Sequence, residues 1–213
     1  NYWRNLLKNK PFIGVAGNIG VGKTTFTKLV SKRLGLTPYY ESVDDNPYLS
    51  DFYGNMERWS FNLQIYFLQH RFRHHIEIMN SEIGVMQDRT IYEDFSIFAY
   101  NLYEMKIMSE RDWSTYKDLF NNMTQFLKKP DLIIYLKAST DTLISRIKNR
   151  NRGFEKDISE EYLHQLNVYY KRWFSQNLEY NVLEIYTNNF NIFNDPIQFD
   201  KICNDINNKL NKL

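Results

Sequence analysis

A glycine-rich run near the start of the chain has the composition of a phosphate-binding loop. The pattern G-x-x-x-x-G-K-[ST] fits the run GNIGVGKT, from Gly17 to Thr24, at every fixed position. Glycines allow successive backbone N–H groups to converge on an anion, and the N-terminus of a following helix adds partial positive charge. In this pattern Lys23 reaches the β- and γ-phosphates, and the Thr24 hydroxyl is a ligand of Mg²⁺. The run therefore predicts a nucleotide site; the alternative is a glycine-rich turn before an ordinary helix.

Charged residues follow two further predicted strands, where an open parallel sheet forms its ligand-binding crevice. Glu41 ends the second predicted strand, and a carboxylate there could accept a proton from a hydroxyl that attacks a phosphate. Asp88 and Arg89 follow the third, where a carboxylate suits Mg²⁺ and a guanidinium can brace the reacting groups. A solvated acid and an exposed ion pair are the alternatives. The catalytic candidates are Glu41, Arg89 and Lys23, and the candidate metal ligands are Thr24 and Asp88.

Three arginines on and after a predicted helix could form a lid over bound phosphates. Arg146 and Arg150 lie one helical turn apart on the same face, and Arg152 follows in a polar turn. Mobile cationic side chains can neutralise charge during phosphoryl transfer. Clustered arginines on a helix are also typical of a solvated face, so the lid hypothesis depends on the phosphate loop.

Short apolar runs alternate with longer helical patterns, which predicts a parallel sheet covered by helices on both faces. The predicted strands are 12–16, 39–42, 85–88, 132–136 and 182–186. The predicted helices are 23–34, 57–79, 92–103, 110–127, 140–148, 159–177 and 198–210. No linker rich in proline, glycine or serine divides the chain, so we expect a single α/β domain over residues 1–213.

Composition limits the classes of partner. The net charge of +2 is too small to indicate a nucleic acid or a membrane surface. No apolar run is long enough to span a membrane, and the first residues lack the character of a signal peptide. Cys203 is the only cysteine, which excludes an intrachain disulfide and fits a reducing compartment. We therefore expect a cytoplasmic protein, with a targeting peptide lost from the N-terminus as an open alternative.

The predicted helix 57–79 carries a wide apolar face. The residues on its central stripe are Phe61, Ile65, Leu68, Phe72 and Ile76. A helix this apolar needs cover on more than one side, and the sheet can supply only one of them. We therefore expect a homodimer through long helices that include 57–79, with burial inside one subunit as the alternative.

Together these motifs resemble those of the deoxynucleoside kinase family, particularly its deoxyadenosine and deoxycytidine kinase branch. The matching stretches, in family order, are 17–25, 41–49, 57–64, 87–94 and 146–155. The resemblance implies a P-loop kinase fold with a five-stranded parallel sheet, helices on both faces and an arginine-rich lid. It also implies ATP and Mg²⁺ as cofactors and phosphorylation of the 5′-hydroxyl of a deoxynucleoside, in nucleotide salvage.

The resemblance assigns roles to particular residues. Glu41 matches the base that acts on the 5′-hydroxyl, Asp88 and Arg89 match the pair that serves Mg²⁺ and the reacting oxygen, and Tyr53 and Glu155 match the residues that hold the 3′-hydroxyl. The implied ATP-binding positions are Gly17, Asn18, Ile19, Gly20, Val21, Gly22, Lys23, Thr24, Thr25, Arg146, Arg150 and Arg152. The implied deoxynucleoside-binding positions are Glu41, Tyr53, Trp59, Gln64, Arg71, Arg89, Asp94, Phe98 and Glu155.

Five of those positions surround the base in the family. Gln64 would bind the base, Phe98 would stack on it, and Trp59 would wall the pocket. Arg71 and Asp94 match the Arg–Asp pair of members that accept adenine, guanine or cytosine, so thymidine is expected to be a poor substrate. The sequence at 152–155 is similar to bacterial-type members, which favour deoxyadenosine, often with deoxycytidine or deoxyguanosine second.

Two other functions remain open at this stage. A nucleoside monophosphate kinase would need a further cationic site for the phosphate of its acceptor. A GTP-binding switch could use residues 51–54, which fit D-x-x-G, but the sequence has no N-K-x-D motif to read guanine.

Overall fold

The structure is a computed structural model that describes residues 10–40, 45–150, 155, 158–177, 179–189, 192 and 194–213. Its strands are β1 (Phe12–Ala16), β2 (Thr37–Tyr39), β3 (Val85–Asp88), β4 (Leu132–Lys137) and β5 (Val182–Tyr186). They form one parallel sheet in the order β2-β3-β1-β4-β5. β1 and β3 are buried along their whole length, as expected for central strands that are covered on both faces.

Helices cover the sheet on its two sides. They are α1 (Lys23–Leu34), α2 (Leu49–Gly54), α3 (Met56–Met79), α4 (Ile91–Glu93), α5 (Tyr100–Glu104), α6 (Glu110–Thr124), α7 (Thr140–Arg150), α8 (Glu160–Gln176) and α9 (Pro196–Leu210), with a π-helical segment, Asp94–Ala99, between α4 and α5. One apolar cluster packs α1, α7 and α9 against Ile134 of β4. The other packs α3, α6 and α8 against Ile133 and Tyr135, which alternate with Ile134 and so face the opposite side. Within the described residues, no helix has the length and apolar character needed to cross a membrane.

The predicted fold class is confirmed, and most element bounds agree with the prediction. β1, β3, β5 and α1 have the predicted limits. β2 occupies 37–39 in place of 39–42, because its pairing with β3 starts with Thr37 opposite Val85; residues 41 and 42 lie outside the described residues. The prediction lacks α2, because six residues are too few to show a helical period.

The stretch predicted as one helix, 92–103, is helical from Ile91 to Glu104 but is not uniform. Its middle part, Asp94–Ala99, has π geometry. π segments are rare and frequently occur at functional sites. This one carries Asp94 and Phe98, which both line the cavity described below.

The long helix α3 buries a face that differs from its apolar stripe. The residues it buries are Ser60, Leu63, Gln64, Leu68, Arg71, His75 and Ile78. Within the predicted stripe, Leu68 is buried, whereas Phe61, Ile65 and Phe72 are half-buried and Ile76 is 40% exposed. The inner face is partly polar because it holds side chains of the candidate site, and the apolar stripe is exposed only toward its C-terminal end, at Ile76.

Candidate active site

The loop from Gly17 to Gly22 joins β1 to α1 at the edge of the sheet where the strands end. Gly22 caps α1 with a φ of 101°, a left-handed conformation that suits glycine. A Cβ on Gly17 would lie 2.7 Å from the carbonyl oxygen of Leu136, so this position also needs glycine for close packing on β4. Asn18 fastens the loop to α8, because its Nδ2 donates to the Leu163 carbonyl at 2.9 Å. The backbone N–H groups at the start of α1 are thus held in place for an anion.

Lys23 and Thr24 begin α1 and point to different partners. Lys23 is 7% exposed, and its Nζ donates to the Asn18 carbonyl at 3.3 Å. The Thr24 hydroxyl donates to Oδ2 of Asp88 at 2.7 Å. The other carboxylate oxygen of Asp88, Oδ1, is buried and has no hydrogen-bond partner in the described part of the chain.

This hydroxyl–carboxylate pair fits the preference of Mg²⁺ for hard oxygen ligands. The described residues contain no group of three or more His, Cys, Asp or Glu side chains that could hold a metal by themselves. Mg²⁺ characteristically keeps several water ligands and binds through one or two protein groups together with substrate phosphates. Thr24 and Asp88 are therefore sufficient as the protein's share of such a site.

Arg89 follows β3 with an unusual backbone conformation. Its φ of 65° lies in the left-handed region, which costs a non-glycine residue about 1–2 kcal/mol. Its side chain is nearly buried, and Nη2 donates to the Gly17 carbonyl at 3.2 Å. The guanidinium carbon lies 4.1 Å from the centre of the Phe98 ring. Local strain of this kind clusters at functional sites, and here it holds a cation beside the phosphate loop.

Arg71 and Asp94 form a buried ion pair between α3 and the π segment. Each side chain is only 3% exposed, and Nε of Arg71 donates to Oδ2 of Asp94. Nη1 of Arg71 donates to the carbonyls of Asp88 and Arg89, at 3.0 and 2.7 Å. Asp94 lines the cavity, whereas Arg71 is not among the described residues that do so. The guanidinium therefore orients Asp94 and the turn after β3 from behind.

A cavity of about 810 Å³ extends from the phosphate loop to the π segment, within the size range of small-molecule sites. Its described lining includes Ile19, Gly20, Val21, Gly22, Lys23, Thr24, Thr25, Tyr53, Gln64, Arg89, Asp94, Phe98, Arg146, Arg150, Glu155 and Tyr162. Gln64 is 3% exposed, and its Oε1 has no hydrogen-bond partner among the described residues. The cavity thus joins a phosphate-binding end to an end with aromatic, amide and carboxylate groups.

Two of the three predicted lid arginines lie in the described residues, and both contact the protein itself. Nη1 of Arg146 donates to the Val21 carbonyl at 3.1 Å and to the Thr187 hydroxyl at 3.0 Å. Arg150 pairs with Glu155 through two nitrogens, with Nε 2.9 Å from Oε2 and Nη2 2.5 Å from Oε1. Arg146 therefore braces the phosphate loop, and the arginine-rich lid stays a prediction.

Several predicted positions are not among the described residues that line the cavity. Gly17, Asn18, Arg71 and Asp88 are described but do not line it. Glu41, the predicted base, and Arg152, the third predicted lid arginine, lie outside them. Trp59 is described but does not line the cavity. The centre of its ring lies 5.9 Å from the centre of the Tyr48 ring and 4.3 Å from the guanidinium carbon of Arg58. Trp59 therefore faces the chain that precedes α2.

Two buried residues at the site, Glu93 and Tyr170, are missing from the sequence prediction. Glu93 is fully buried, and its Oε1 accepts hydrogen bonds from the Gly17 N–H, from Arg89 and from the Tyr170 hydroxyl. Burial raises the pKa of Glu93, while Arg89 and Lys23 lower it. The i,i+4 spacing of Arg89 and Glu93 is a pattern from which a contact between these two side chains could have been predicted. No local pattern could relate Glu93 to Tyr170, which is 77 residues away.

Comparison with known proteins agrees with this geometry. The family model for deoxynucleoside kinase matches residues 13–211. The chain is 40% identical to the deoxyadenosine/deoxycytidine kinase of Bacillus subtilis over 196 residues, which cover 91% of this chain and 90% of the relative. It is 44% identical to the deoxyadenosine kinase of Dictyostelium discoideum over 187 residues, 87% of this chain and 75% of the relative.

A solved structure of deoxyadenosine kinase from M. mycoides with bound dATP superposes with a TM-score of 0.81 at 33% identity. The match covers 92% of this chain and 99% of that one. The family indicated by the sequence motifs is therefore confirmed by sequence and by fold. This chain belongs to the deoxynucleoside kinase family and is a deoxynucleoside kinase with the P-loop kinase fold.

Proposed function

We propose that this chain transfers the γ-phosphoryl group of ATP to the 5′-hydroxyl of deoxyadenosine, with deoxycytidine and deoxyguanosine as secondary acceptors, in nucleotide salvage. The observation that carries the proposal is one cavity with the phosphate loop at one end and Gln64, Asp94 and Phe98 at the other. The names of the relatives support the choice of acceptor. They include deoxyadenosine/deoxycytidine and deoxyguanosine kinases of Bacillus subtilis, at 40% and 38% identity.

ATP would bind with its phosphates over the start of α1 and beside Lys23. Thr24 and Asp88 would hold Mg²⁺, an assignment supported by the unpaired Oδ1 of Asp88 within the described residues. When bound, the ion supplies positive charge that offsets the charge on the phosphate oxygens. Arg89 is fixed next to the same loop, so its guanidinium can stabilise charge on the transferred group.

The acceptor base would bind between Gln64, Asp94 and Phe98. An ionised carboxylate accepts hydrogen bonds but cannot donate them, so Asp94 favours the amino groups of adenine and cytosine over the carbonyl of thymine. Arg71 orients Asp94 through the buried ion pair. Gln64 offers both an acceptor and a donor to the base edge, and the Phe98 ring offers a stacking surface. Thymidine should therefore be the weakest acceptor.

The sugar would lie between these two ends. Tyr53 and Glu155 line the cavity and are our candidates for binding the 3′-hydroxyl. We assign Glu41 as the proton acceptor on the strength of the sequence alone. In the proposed step Glu41 takes the proton of the 5′-hydroxyl, the oxygen forms a bond to the γ-phosphorus, and the bond to the bridging oxygen of ADP breaks.

Initial rates with ATP test the proposal against its alternatives. The acceptors are the four deoxynucleosides, the matched ribonucleosides and deoxyadenosine monophosphate. We expect deoxyadenosine to be fastest, thymidine slowest among the deoxynucleosides, and the monophosphate inactive. A faster reaction with the monophosphate would instead indicate a nucleoside monophosphate kinase. GTP binding with no phosphorylation of any acceptor would indicate a GTP-binding switch.

A single carboxylate variant tests the proposed base. Glu41→Gln should lower kcat by about 10²-fold or more and leave ATP binding nearly unchanged in calorimetry. Glu161→Gln, at an exposed position in the first turn of α8, is the matched control and should keep its turnover. Near-normal turnover of Glu41→Gln would remove this residue from the role of base.

We also propose that the chain forms a homodimer through α3. Ile76 of the stripe is 40% exposed and Met79, one turn further along α3, is 45% exposed, so apolar surface at the C-terminal end of this helix is available to a second subunit. Sedimentation velocity should give the mass of two chains, and Ile76→Glu should shift it toward one. Met105→Glu, at an apolar position outside α3 that is 37% exposed, should leave the dimer intact. A wild-type monomer at micromolar concentration would contradict the proposal.

A further inference from the structure

The buried carboxylate of Glu93 receives hydrogen bonds from three separate parts of the fold. Its Oε1 accepts from the N–H of Gly17 at 3.1 Å and from Nε of Arg89 at 3.4 Å. It also accepts from the hydroxyl of Tyr170 on α8. Glu93 itself belongs to the short helix α4, whose N-cap is Thr90. One oxygen therefore connects the phosphate loop, the turn after β3 and α8.

The same three partners also contact one another. Nη2 of Arg89 donates to the carbonyl oxygen of Gly17 at 3.2 Å. The Tyr170 hydroxyl lies 2.9 Å from that carbonyl, so its single proton is shared between Gly17 and Glu93. Gly17 is thus held at both its N–H and its carbonyl. The result is a closed network around the first peptide of the loop and the Arg89 side chain.

A buried carboxylate lowers the stability of the folded state unless it is well paired. Glu93 and Tyr170 both have side chains with no exposed surface, and Oε2 of Glu93 has no hydrogen-bond partner among the described residues. Neither residue is among the described residues that line the cavity. Their effect on a substrate must therefore pass through groups that do reach it, and Arg89 both bonds to Glu93 and lines the cavity.

Arg89 is held in position by contacts with several other parts of the fold. Its backbone is in the left-handed region, and its guanidinium stacks on Phe98 at the acceptor end while it bonds Gly17 at the phosphate end. A shift of about 1 Å in a positioned group can lower turnover about 10²-fold. We infer that Glu93, supported by Tyr170, is a positioning residue that fixes Arg89 and Gly17 relative to each other for phosphoryl transfer. This inference rests on the proposed function and on the proposed role of Arg89.

Two variants remove parts of the network with little change in volume. Glu93→Gln keeps an acceptor oxygen and removes the charge, and we expect kcat to fall by about 10²-fold with KM for deoxyadenosine changed less than about 3-fold. Tyr170→Phe deletes one hydroxyl and should lower kcat by about 10-fold. Tyr116→Phe is the matched control, because Tyr116 is equally buried and its hydroxyl has no hydrogen-bond partner in the described structure. Its turnover should equal that of the wild type.

A double-mutant cycle tests whether Glu93 acts through Arg89. In the Arg89→Ala background, Glu93→Gln should change kcat by less than about 3-fold, because the group that it positions is gone. An equally large loss in both backgrounds, or wild-type turnover of a folded Glu93→Gln protein, would overturn the inference. If Glu93→Gln does not fold, Tyr170→Phe takes its place in the same cycle.

A spectroscopic readout separates this inference from the proposed function. Because Nε of Arg89 donates to Glu93, its side-chain N–H should give a slowly exchanging ¹H–¹⁵N signal, assigned by its loss in Arg89→Ala. The signal should shift in Tyr170→Phe and stay unchanged in Tyr116→Phe. An unshifted signal in Tyr170→Phe would refute the network even in an active enzyme. Absence of turnover in the wild type, with the signal present and shifting as expected, would instead refute the proposed reaction alone.

Discussion

Removal of the Arg71 guanidinium should be one of the most destabilising single changes in this protein. The side chain donates to Asp94 and to the carbonyls of Asp88 and Arg89, at 3.0 and 2.7 Å for the two carbonyls. In Arg71→Leu the Asp94 carboxylate would remain 2% exposed without this partner. Breaking a buried ion pair from one side costs about 3–5 kcal/mol. Three charge-assisted bonds counted separately would exceed that value, but they share one guanidinium and are not additive.

Equilibrium urea unfolding measures this cost directly. The free energy of unfolding of an ordinary domain is about 5–15 kcal/mol, so Arg71→Leu should remove a large share of it. The urea concentration at the midpoint of unfolding should be clearly lower, and the m-value should be unchanged. The double variant Arg71→Leu/Asp94→Leu should regain about 2 kcal/mol, because the buried carboxylate that lost the Arg71 guanidinium is then gone while the two carbonyls still lack their Arg71 donor.

The control for this experiment is an exposed ion pair. Arg33 and Asp200 approach to 2.7 Å with side chains 38% and 53% exposed, so Arg33→Leu should cost less than about 1 kcal/mol. The reasoning fails if Arg71→Leu costs no more than Arg33→Leu. It also fails if the double variant is no more stable than Arg71→Leu, since the cost would then not come from the loss of the guanidinium beside the Asp94 carboxylate.

Two further perturbations follow from the same structure. Asp88→Asn should raise the Mg²⁺ concentration needed for half-maximal turnover by about 10–100-fold, because the carboxylate bonded to Thr24 loses its charge, whereas Asp118→Asn on the exposed side of α6 should not change it. Burial lowers the pKa of His75, and this effect outweighs the opposing effect of a hydrogen bond to the Lys128 carbonyl. Because the folded state then binds a proton less readily than the unfolded chain, the free energy of unfolding should fall as pH drops below the ordinary histidine pKa of about 6.5. Urea midpoints between pH 7.5 and 5.5 should therefore decline less in His75→Gln than in the wild type; an equal decline in both would assign the pH dependence to other groups.

The parts of the site that the sequence predicts are those with a local signature. Lys23 and Thr24 are predicted by one contiguous pattern, and Asp88 and Arg89 by their position at the end of a buried strand and directly after it. Contiguous patterns can be recognised in the sequence because the geometry they need lies within a single turn or strand end. The strands of the central sheet are predicted for the same reason, since their apolar runs are short and sharply bounded.

Features that depend on distant contacts escape the sequence. The stripe on α3 predicts apolar cover on more than one side of the helix, whereas the face that the helix buries also holds Gln64 and Arg71, and Arg71 pairs with Asp94 on the π segment. The π geometry of 94–99 also has no local signature in the sequence; its buried residues pack in the same cluster as α3, α6 and α8. Tyr170 is similar: nothing near it in sequence relates it to Gly17 or Glu93.

The strained backbone conformation of Arg89 is explained by contacts with residues that are distant in the sequence. A residue stays in the left-handed region when surrounding interactions over-determine its position. Here Arg71 bonds the Arg89 carbonyl from α3, while Glu93 and Gly17 hold its side chain from α4 and the phosphate loop. The turn after β3 is thus fixed from three directions by contacts within the protein. Under the proposed role of Arg89, stability and catalysis draw on the same buried charges, so variants of this turn should lose turnover and unfolding free energy together.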